Sequence, residues 1–244
     1  MHLPAQERSF RESKAGLETI AAGFFQPRHA HLKAYATVIV DGGYGHAGYF
    51  GRRWLEPGDV LVTPSLDRHE NRTPRRRNAR LLRFDWHGDM GLGGVYRPAR
   101  IDAVVNAAGR DPVEARHLLR EALAASECER PALADWPDLL AQRLRAGRTN
   151  ISGWAAGEGL ARETVARGFR KTYGTSPRAF AGELRARSAW VRILDGSDSF
   201  AKIALDLGYA DQPHMTRAVR ALTGLPPGAW RKMRNDADKR RSQS

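Results

Sequence analysis

The arginines of the last hundred residues are the side chains of this sequence best suited to binding chemistry. An arginine guanidinium presents paired N–H donors that fit a phosphate group or the O6 and N7 atoms of guanine. The 244-residue chain has a formal net charge of +13. Residues 143–244 hold 20 Lys and Arg against 9 Asp and Glu, whereas residues 1–142 hold 20 against 18. Because the excess positive charge belongs to one half, we expect that half to bind a polyanion.

A helical unit that occurs twice would position these arginines. The segment 155–159 matches the segment 204–208 as Ala-x-x-x-Gly, at a shift of 49 residues. After the glycine the shift becomes 50, which pairs Val165 with Met215 and Gly174 with Gly224. A small alanine allows close helix packing, a glycine ends the first helix, and a short turn begins the next at a steep angle. This pattern predicts two helix-turn-helix units, each with a recognition helix that enters a major groove.

The elements around the repeat read as helices punctuated by glycine and proline. Ser176 followed by Pro177 is a strong helix start, because serine caps a helix and proline fits its first turn. Apolar periodicity predicts six helices, at 139–146, 152–157, 162–172, 177–194, 199–207 and 212–222.

The second unit also carries a resemblance to a known family. Residues 203–231, IALDLGYADQPHMTRAVRALTGLPPGAWR, resemble the signature of the AraC/XylS transcription regulators, and the resemblance extends over residues 138–234. It implies a long helix that joins the two units, so that both address successive major-groove segments on one face of DNA. Two positions depart from the family pattern: Val219 stands where phenylalanine is usual, and Pro213 lies inside the second recognition helix.

The outward face of the first recognition helix contains the first set of expected DNA contacts. Val165 and Phe169 point inward by spacing, which leaves Arg162, Glu163, Ala166, Arg167 and Arg170 outside. Arg162 and Arg167 suit guanine, whereas Glu163 either accepts from a cytosine amino group or holds Arg167 one turn away.

The second recognition helix offers the second set of contacts. Its outward residues are Gln212, Pro213, His214, Thr216, Arg217 and Arg220. Gln212 suits adenine, Thr216 a phosphate or a thymine methyl, and Arg217 guanine or a phosphate. Asp211 is expected to cap the helix. The expected phosphate contacts are Arg170, Lys171, Arg178, Lys202 and Arg231.

The N-terminal half has a different pattern, that of short strands. Apolar runs at 35–40, 60–63 and 81–84 are separated by glycine-rich turns, which favours an antiparallel sandwich or barrel. A helix predicted at 112–125 has an apolar stripe that either meets a second copy of the chain or packs against its own barrel.

This half resembles the small cupin barrel that is common in the same family. Gly58, Pro64 and His69 look like the second cupin motif, and His29-Ala30-His31 looks like the start of the first. The resemblance implies that His29, His31 and His69 bind one divalent metal ion, together with a carboxylate about four residues after the second histidine.

The cupin site is incomplete, so more than one use stays open. Tyr35 stands at the carboxylate position and Leu66 replaces a motif glycine, while His46 or Glu70 could act as a fourth ligand. Alternatively, the barrel binds a small organic effector or only dimerises, with the histidines at its mouth. Candidate effector-pocket residues are Tyr35, His46, Trp54 and Trp86. Catalysis by the barrel is a third use, for which no other catalytic motif is found.

Composition limits the remaining classes. No run approaches the roughly 18 consecutive apolar residues of a membrane span, and residues 1–10 lack the apolar core of a signal peptide, so we expect a cytoplasmic protein. The single cysteine, Cys128, permits no intrachain disulfide and no cysteine-based zinc site.

The sequence therefore predicts an α+β protein of several domains: an antiparallel cupin-like β-barrel and an all-α domain with two helix-turn-helix units. The expected boundaries are 1–100 for the sensor and dimerisation barrel, 101–137 for a helix and linker, 138–234 for the DNA-binding domain and 235–244 for a disordered basic tail. The predicted function is that of a sequence-specific, ligand-responsive transcription regulator, not an enzyme. The expected partners are double-stranded DNA, a small effector, a second copy of the chain and RNA polymerase, with no membrane. The alternative is a metal-binding or catalytic cupin with an accessory helical domain.

Overall fold

The computed structural model describes residues 16–86, 93–129, 133–147, 149–196 and 198–241. The chain divides into two compact units, Met1–Leu139 with Lys171–Gly174, and Leu140–Arg170 with Thr175–Ser244. Within the described ranges, no helix combines the length and apolar character needed to cross a membrane.

The first unit contains two antiparallel sheets. The strands are β1 (Gly16–Ile20), β2 (Phe25–His29), β3 (Tyr35–Asp41), β4 (Tyr44–Gly48), β5 (Gly51–Leu55), β6 (Val60–Thr63), β7 (His69–Arg72), β8 (Ala79–Asp85), β9 (Gly94–Tyr96) and β10 (Cys128–Glu129). A six-stranded sheet has the order β1-β8-β3-β6-β9-β10, and a four-stranded sheet has the order β2-β7-β4-β5. The expected closed barrel is wrong, because each sheet ends in edge strands that are not hydrogen-bonded to the other sheet. The antiparallel architecture is confirmed.

The six-stranded sheet is apolar on both faces, since alternate residues of a strand point to opposite sides. One face contributes Ala36, Val38, Val62 and Phe84 to a core with two helices. The other contributes Ile39, Leu61, Leu81 and Val95 to a core shared with Tyr44 and Leu55 of the four-stranded sheet. The larger sheet is therefore covered on both sides.

The two helices of this unit are α1 (Ile101–Ala108) and α2 (Pro112–Ala124). Asp111 caps α2, where its carboxylate accepts from the backbone N–H groups of Val113 and Glu114 at 2.8 and 3.1 Å. The apolar stripe of α2 packs against its own sheet through Ala115, Leu119 and Leu123. Of the two expected uses of this stripe, the structure shows packing within the domain.

The helical part of the chain contains α3 (Trp136–Ala146), α4 (Ile151–Gly157), α5 (Arg162–Tyr173), α6 (Pro177–Asp195), α7 (Phe200–Asp206), α8 (Gln212–Thr223) and α9 (Pro227–Arg241). The six helices predicted from the sequence are confirmed to within three residues at each end. The expected disordered tail at 235–244 is wrong as far as residue 241, because α9 continues through it. An ion pair of 2.7 Å between Arg234 and Asp238, one turn apart, supports this helix. Residues 242–244 lie outside the described residues.

The turns inside the two helix-turn-helix units begin in the same way, although the second turn is one residue longer. The N–H of Leu160 donates to the carbonyl of Ala155 at 2.8 Å, and that of Tyr209 donates to Ala204 at 2.9 Å. Gly159 and Gly208 adopt left-handed φ values of 66° and 71°, which a glycine adopts at low cost. The internal repeat of the sequence is therefore a repeat of turn geometry.

Candidate nucleic-acid interface and histidine cluster

The first recognition helix, α5, has one buried and one exposed face. Val165 and Phe169 are buried, and the Phe169 ring meets Phe180 edge-on at a centroid distance of 5.4 Å. The five residues predicted to face DNA are all exposed, namely Arg162, Glu163, Ala166, Arg167 and Arg170. Packing thus fixes which side of α5 remains available to a partner.

The second recognition helix, α8, is oriented in the same way by Met215 and Val219, which are fully buried. Its predicted contacts Gln212, Pro213, Arg217 and Arg220 are exposed, and Thr216 and His214 are half-buried. The His214 ring packs edge-on against Tyr209 at 5.2 Å, so it also belongs to the packing of the turn.

The expected cap of α8 is confirmed. The Asp211 carboxylate accepts from the backbone N–H of His214 at 2.6 Å, which satisfies one of the donors left open at a helix start. Asp211 is thereby engaged in holding the helix rather than in reading a base.

The arginines on the two recognition helices have no side-chain partner in the part of the chain that the structure describes. Among the described residues, none forms a hydrogen bond or an ion pair with the side chain of Arg162, Arg167, Arg170, Arg217 or Arg220. Other cations of this unit are paired: Arg192 contacts both Asp198 and Asp206, the latter at 2.8 Å. The hydrogen bond from Arg192 lowers the pKa of Asp198, with a further contribution from Lys202. These five arginines therefore place unpaired positive charge on the exposed faces of α5 and α8.

Two expected phosphate contacts have internal roles instead. Lys202 binds Asp206 at 2.9 Å and Asp198 at 3.3 Å. Arg231 donates to the carbonyl oxygen of Asp198 at 2.7 Å, and its guanidinium lies 4.1 Å from the centre of the Phe200 ring. Lys202 thus pairs with acids one turn away on either side of it, whereas Arg231 reaches the start of α7 from α9.

The first unit brings the three predicted histidines together. His29 ends β2, His31 follows two residues later, and His69 begins β7, where it pairs with His29 across the sheet. The Nε2 atoms of His29 and His31 are 3.1 Å apart. One ligand atom from each of the three lies within 4.8 Å of the others.

Backbone carbonyls orient two of these rings. Nδ1 of His29 donates to Pro27 O at 2.8 Å, and Nδ1 of His69 donates to Asp67 O at 2.9 Å. Since a carbonyl oxygen only accepts, both Nε2 atoms carry the lone pair of the neutral ring. The Tyr35 hydroxyl donates to Nε2 of His69 at 3.0 Å.

Burial keeps these imidazoles neutral. Desolvation, assisted by the neighbouring His29, lowers the pKa of His31 to about 3. Desolvation also lowers the pKa of His46 to about 4 and that of His69 well below its ordinary value. Neutral imidazoles are the form that binds a metal ion.

The two expected fourth ligands lie outside this group of three. Nδ1 of His46 is 3.0 Å from the amide oxygen of Asn71, its partner across β4 and β7, and the four-stranded sheet holds it there. Glu70 lies between His69 and Asn71 on β7, so strand alternation directs its side chain to the opposite face. Asn71 was not predicted, although its spacing of two from His69 places it on the same face.

Leu66, which replaces the glycine of the cupin-like motif, has the positive φ that a glycine adopts easily. It is the one non-glycine residue with a positive φ in the described ranges, at 59°, and it is buried. A leucine adopts this conformation only against steric cost. Its N–H donates to the carbonyl of His31 at 2.7 Å, so the strained turn fixes the position of a cluster residue.

The predicted effector-pocket residues separate into three places. Tyr35 and His46 adjoin the histidine cluster, where each contacts His69. Trp54 is 49% exposed, because it points outward on β5 and its neighbour Leu55 points inward. Trp54 is therefore wrong as a pocket residue. Trp86 lines a separate cleft of about 530 Å³ on the helix-covered side of the larger sheet, together with Tyr96, Arg120 and Leu123.

Comparison with known proteins agrees with the C-terminal geometry. The sequence model of a family described as a helix-turn-helix domain matches residues 154–233. The HTH-type transcriptional regulator MtrA of Neisseria gonorrhoeae is 28% identical over 83 residues, which are 34% of this chain and 28% of that protein. An AraC-like transcription regulator of Streptomyces lividans is 30% identical over 73 residues, 30% of this chain and 24% of that protein. The matched part thus spans about a quarter of each relative's length.

Solved structures align over longer stretches but less closely. ToxT of Vibrio cholerae is 8% identical, with 90% of this chain and 98% of that chain covered and a TM-score of 0.39. An AraC family transcriptional regulator of Rhodopseudomonas palustris is 23% identical, with 39% and 93% covered and a TM-score of 0.36. Scores this low support no conclusion about the fold.

Two units of the same helix-turn-helix geometry, each with an exposed basic recognition face, define the C-terminal part as a double helix-turn-helix domain. The family match over residues 154–233 and the two relatives, both transcription regulators, agree with this definition of the C-terminal part.

Proposed function

We propose that this chain binds duplex DNA sequence-specifically through α5 and α8 and regulates transcription in response to an effector bound by its first unit. The observation that carries the proposal is the set of unpaired arginines on the exposed faces of both recognition helices. A set of guanidinium groups without internal partners, on helices whose opposite faces are buried, is available for base edges and phosphates.

The two recognition helices contact different bases. Arg162 and Arg167 on α5 face guanine, while Gln212 and Arg217 on α8 face adenine and guanine or a phosphate. Helix α6, with 19 residues, spans about 28 Å at 1.5 Å per residue. This length approaches the roughly 34 Å between successive turns of a groove on one side of B-DNA. The joining helix therefore supports binding to two successive major-groove segments.

The remaining parts of the proposal rest on the resemblance to AraC/XylS regulators. We expect a cytoplasmic, non-enzymatic protein that works as a homodimer and contacts RNA polymerase on DNA. The first unit supplies the sensor, with the histidine cluster or the cleft beside Trp86 as the effector site. The comparisons favour this regulator over a catalytic cupin with an accessory helical domain.

Titration of selected duplexes against the full chain tests DNA binding. A preferred site is first obtained by selection from random duplexes, and affinity is then measured by fluorescence anisotropy at several salt concentrations. Arg167→Ala should weaken binding to the preferred site by about 5- to 150-fold, the equivalent of about 1–3 kcal/mol per base contact. Binding to a scrambled duplex should change much less.

Arg110, which is exposed in the turn between α1 and α2, provides the matched control, since Arg110→Ala removes the same charge from the first unit and leaves the recognition helices unchanged. Equal losses for Arg110→Ala and Arg167→Ala would show that only net charge matters and would contradict sequence reading by α5. Failure of the selection to enrich any sequence would contradict the proposal as a whole.

A second proposal concerns the effector: the cluster of His29, His31 and His69 binds a divalent metal ion. The observation that favours it is that one ring nitrogen from each histidine lies within 4.8 Å of the others, while backbone hydrogen bonds fix the Nε2 lone pairs of His29 and His69. Around zinc, at about 2.0–2.1 Å from each nitrogen, tetrahedral ligand atoms are about 3.3 Å apart, close to the 3.1 Å between His29 and His31. A bound ion would cross-link β2, the turn after it and β7.

Metal content tests this second proposal independently of DNA. After dialysis against zinc and removal of the excess, the wild-type chain should retain one ion per chain, whereas His69→Ala should retain none. His117 lies exposed on α2, so His117→Ala should retain the ion. Equal retention by wild type and His69→Ala would place the zinc elsewhere.

A further inference from the structure

We propose that Tyr35 is the fourth ligand of the metal ion at the histidine cluster, so that the site consists of three imidazole nitrogens and one phenolate oxygen. This inference rests on the proposed metal site. It replaces His46 and Glu70, which the sequence favoured for the fourth position.

The first support is distance. The Tyr35 oxygen lies 3.0 Å from Nε2 of His69, and Nε2 of His29 lies 3.1 Å from that of His31. Both separations are close to the edge of a tetrahedral zinc site, about 3.3 Å. The Tyr35 ring also meets the His31 ring edge-on at a centroid distance of 4.8 Å. The phenol thus adjoins two of the three histidines.

The second support is the hydrogen bond that Tyr35 makes. Its hydroxyl donates to the same lone pair of His69 that a metal ion would need, so the phenol and the ion compete for that nitrogen. When the ion binds, it takes the place of the phenol proton, which leaves to solvent, and the hydrogen bond to His69 is lost. The oxygen is then next to the ion and negatively charged.

The third support is charge. The guanidinium of Arg83 lies 5.8 Å from the centre of the Tyr35 ring in the same interior. Three neutral imidazoles would leave both charges of a divalent ion uncompensated beside this cation in a buried site. An anionic oxygen compensates one of them. Two described groups beside the cluster can supply such an oxygen, Tyr35 and the buried Asp67, and Oδ1 of Asp67 already accepts from the backbone N–H of Tyr49 at 2.9 Å.

The donor set also indicates the class of ion. Imidazole suits zinc, copper, iron and nickel, whereas magnesium and calcium prefer oxygen ligands throughout. We expect a first-row transition metal ion and no response to magnesium or calcium.

The experiment is a zinc titration of the full chain, followed by ultraviolet difference absorption. Wild type should develop the absorption of one phenolate per zinc bound and release one proton from the phenol. Tyr35→Phe should show no phenolate signal and at least tenfold weaker zinc binding. Tyr44→Phe is the matched control, because Tyr44 is equally buried between the sheets and lies outside the group of three histidines. It should behave as wild type.

The outcomes distinguish the metal site of the three histidines from the role of Tyr35 in it. No zinc uptake by wild type would overturn both the metal site and the role of Tyr35. Zinc uptake that depends on His69 but gives no phenolate signal, and is unchanged in Tyr35→Phe, would overturn the role of Tyr35 and leave the histidine site standing. Circular dichroism of Tyr35→Phe and Tyr44→Phe, which each lose only one hydroxyl group, should match that of the wild type. Neither result depends on whether the chain binds DNA.

Discussion

Acidification should destabilise the first unit through its buried histidines. The pKa of His46 is lowered from 6.5 to about 4 by burial, so between these values the unfolded chain binds a proton that the folded chain excludes. The stabilisation is therefore complete above pH 6.5 and is lost as the pH falls toward 4. Between pH 7 and pH 5, His46 alone should cost about 2 kcal/mol of the free energy of unfolding. His31, with a pKa of about 3, adds to this loss.

Differential scanning calorimetry of the full chain with a chelator present measures this effect. A loss of about 2 kcal/mol corresponds to a decrease of about 4–8 °C in the transition of a unit of this size. His46→Gln should make the transition temperature of the first unit less sensitive to pH by this amount, whatever its effect at pH 7. The exposed His117 serves as the control, and His117→Gln should leave the pH dependence unchanged. If His46→Gln and wild type lose the same stability between pH 7 and pH 5, the proposed exclusion of protons from His46 is refuted.

Two further substitutions test the positioning of the sites. Asp211→Ala removes the cap of α8 and should cost about 1 kcal/mol in chemical denaturation. It should weaken DNA binding without altering the selected sequence; a changed base preference would mean that Asp211 reads a base. Gly48→Ala would place a Cβ 2.7 Å from Nε2 of His46 and 3.0 Å from Cβ of His69, so zinc binding should weaken at least tenfold. Unaltered zinc binding by a folded Gly48→Ala protein would show that the cluster tolerates displacement.

The C-terminal helices could be predicted because their signals are local. Ser176 accepts from the N–H of Ala179 at 3.2 Å, and Asp211 caps α8. In both helices the capping residue and its partner lie within four residues, so a short stretch of sequence identifies the helix start. The repeat predicted where the two turns lie, because Gly159 and Gly208 adopt the same left-handed conformation. Charge alone does not show which cations have internal partners: Lys202 pairs with acids four residues away on either side, and Arg231 on α9 donates to Asp198.

The strands were harder to predict because their partners are distant in sequence. Strand β4, with the sequence YGHAG, has two glycines and no apolar alternation, so only its pairing with β5 and β7 defines it. The outward direction of Trp54 could not be predicted, because β5 itself was not predicted. Without the strand, alternation cannot tell inward from outward side chains. Tyr35 was noticed at the vacant carboxylate position, but its contact with His69 depends on how three strands pair.

The single residue by which the two turns differ has a consequence for how each recognition helix is completed. Asp211 closes the start of α8 with its own carboxylate. Ala161, which accepts the N–H of Val165 through its carbonyl at 3.0 Å, has no side-chain acceptor for the other N–H groups at the start of α5. A DNA phosphate is a suitable acceptor for such groups. The start of the second recognition helix is thus capped from within the chain, whereas the N–H groups at the start of the first suit an acceptor from outside it.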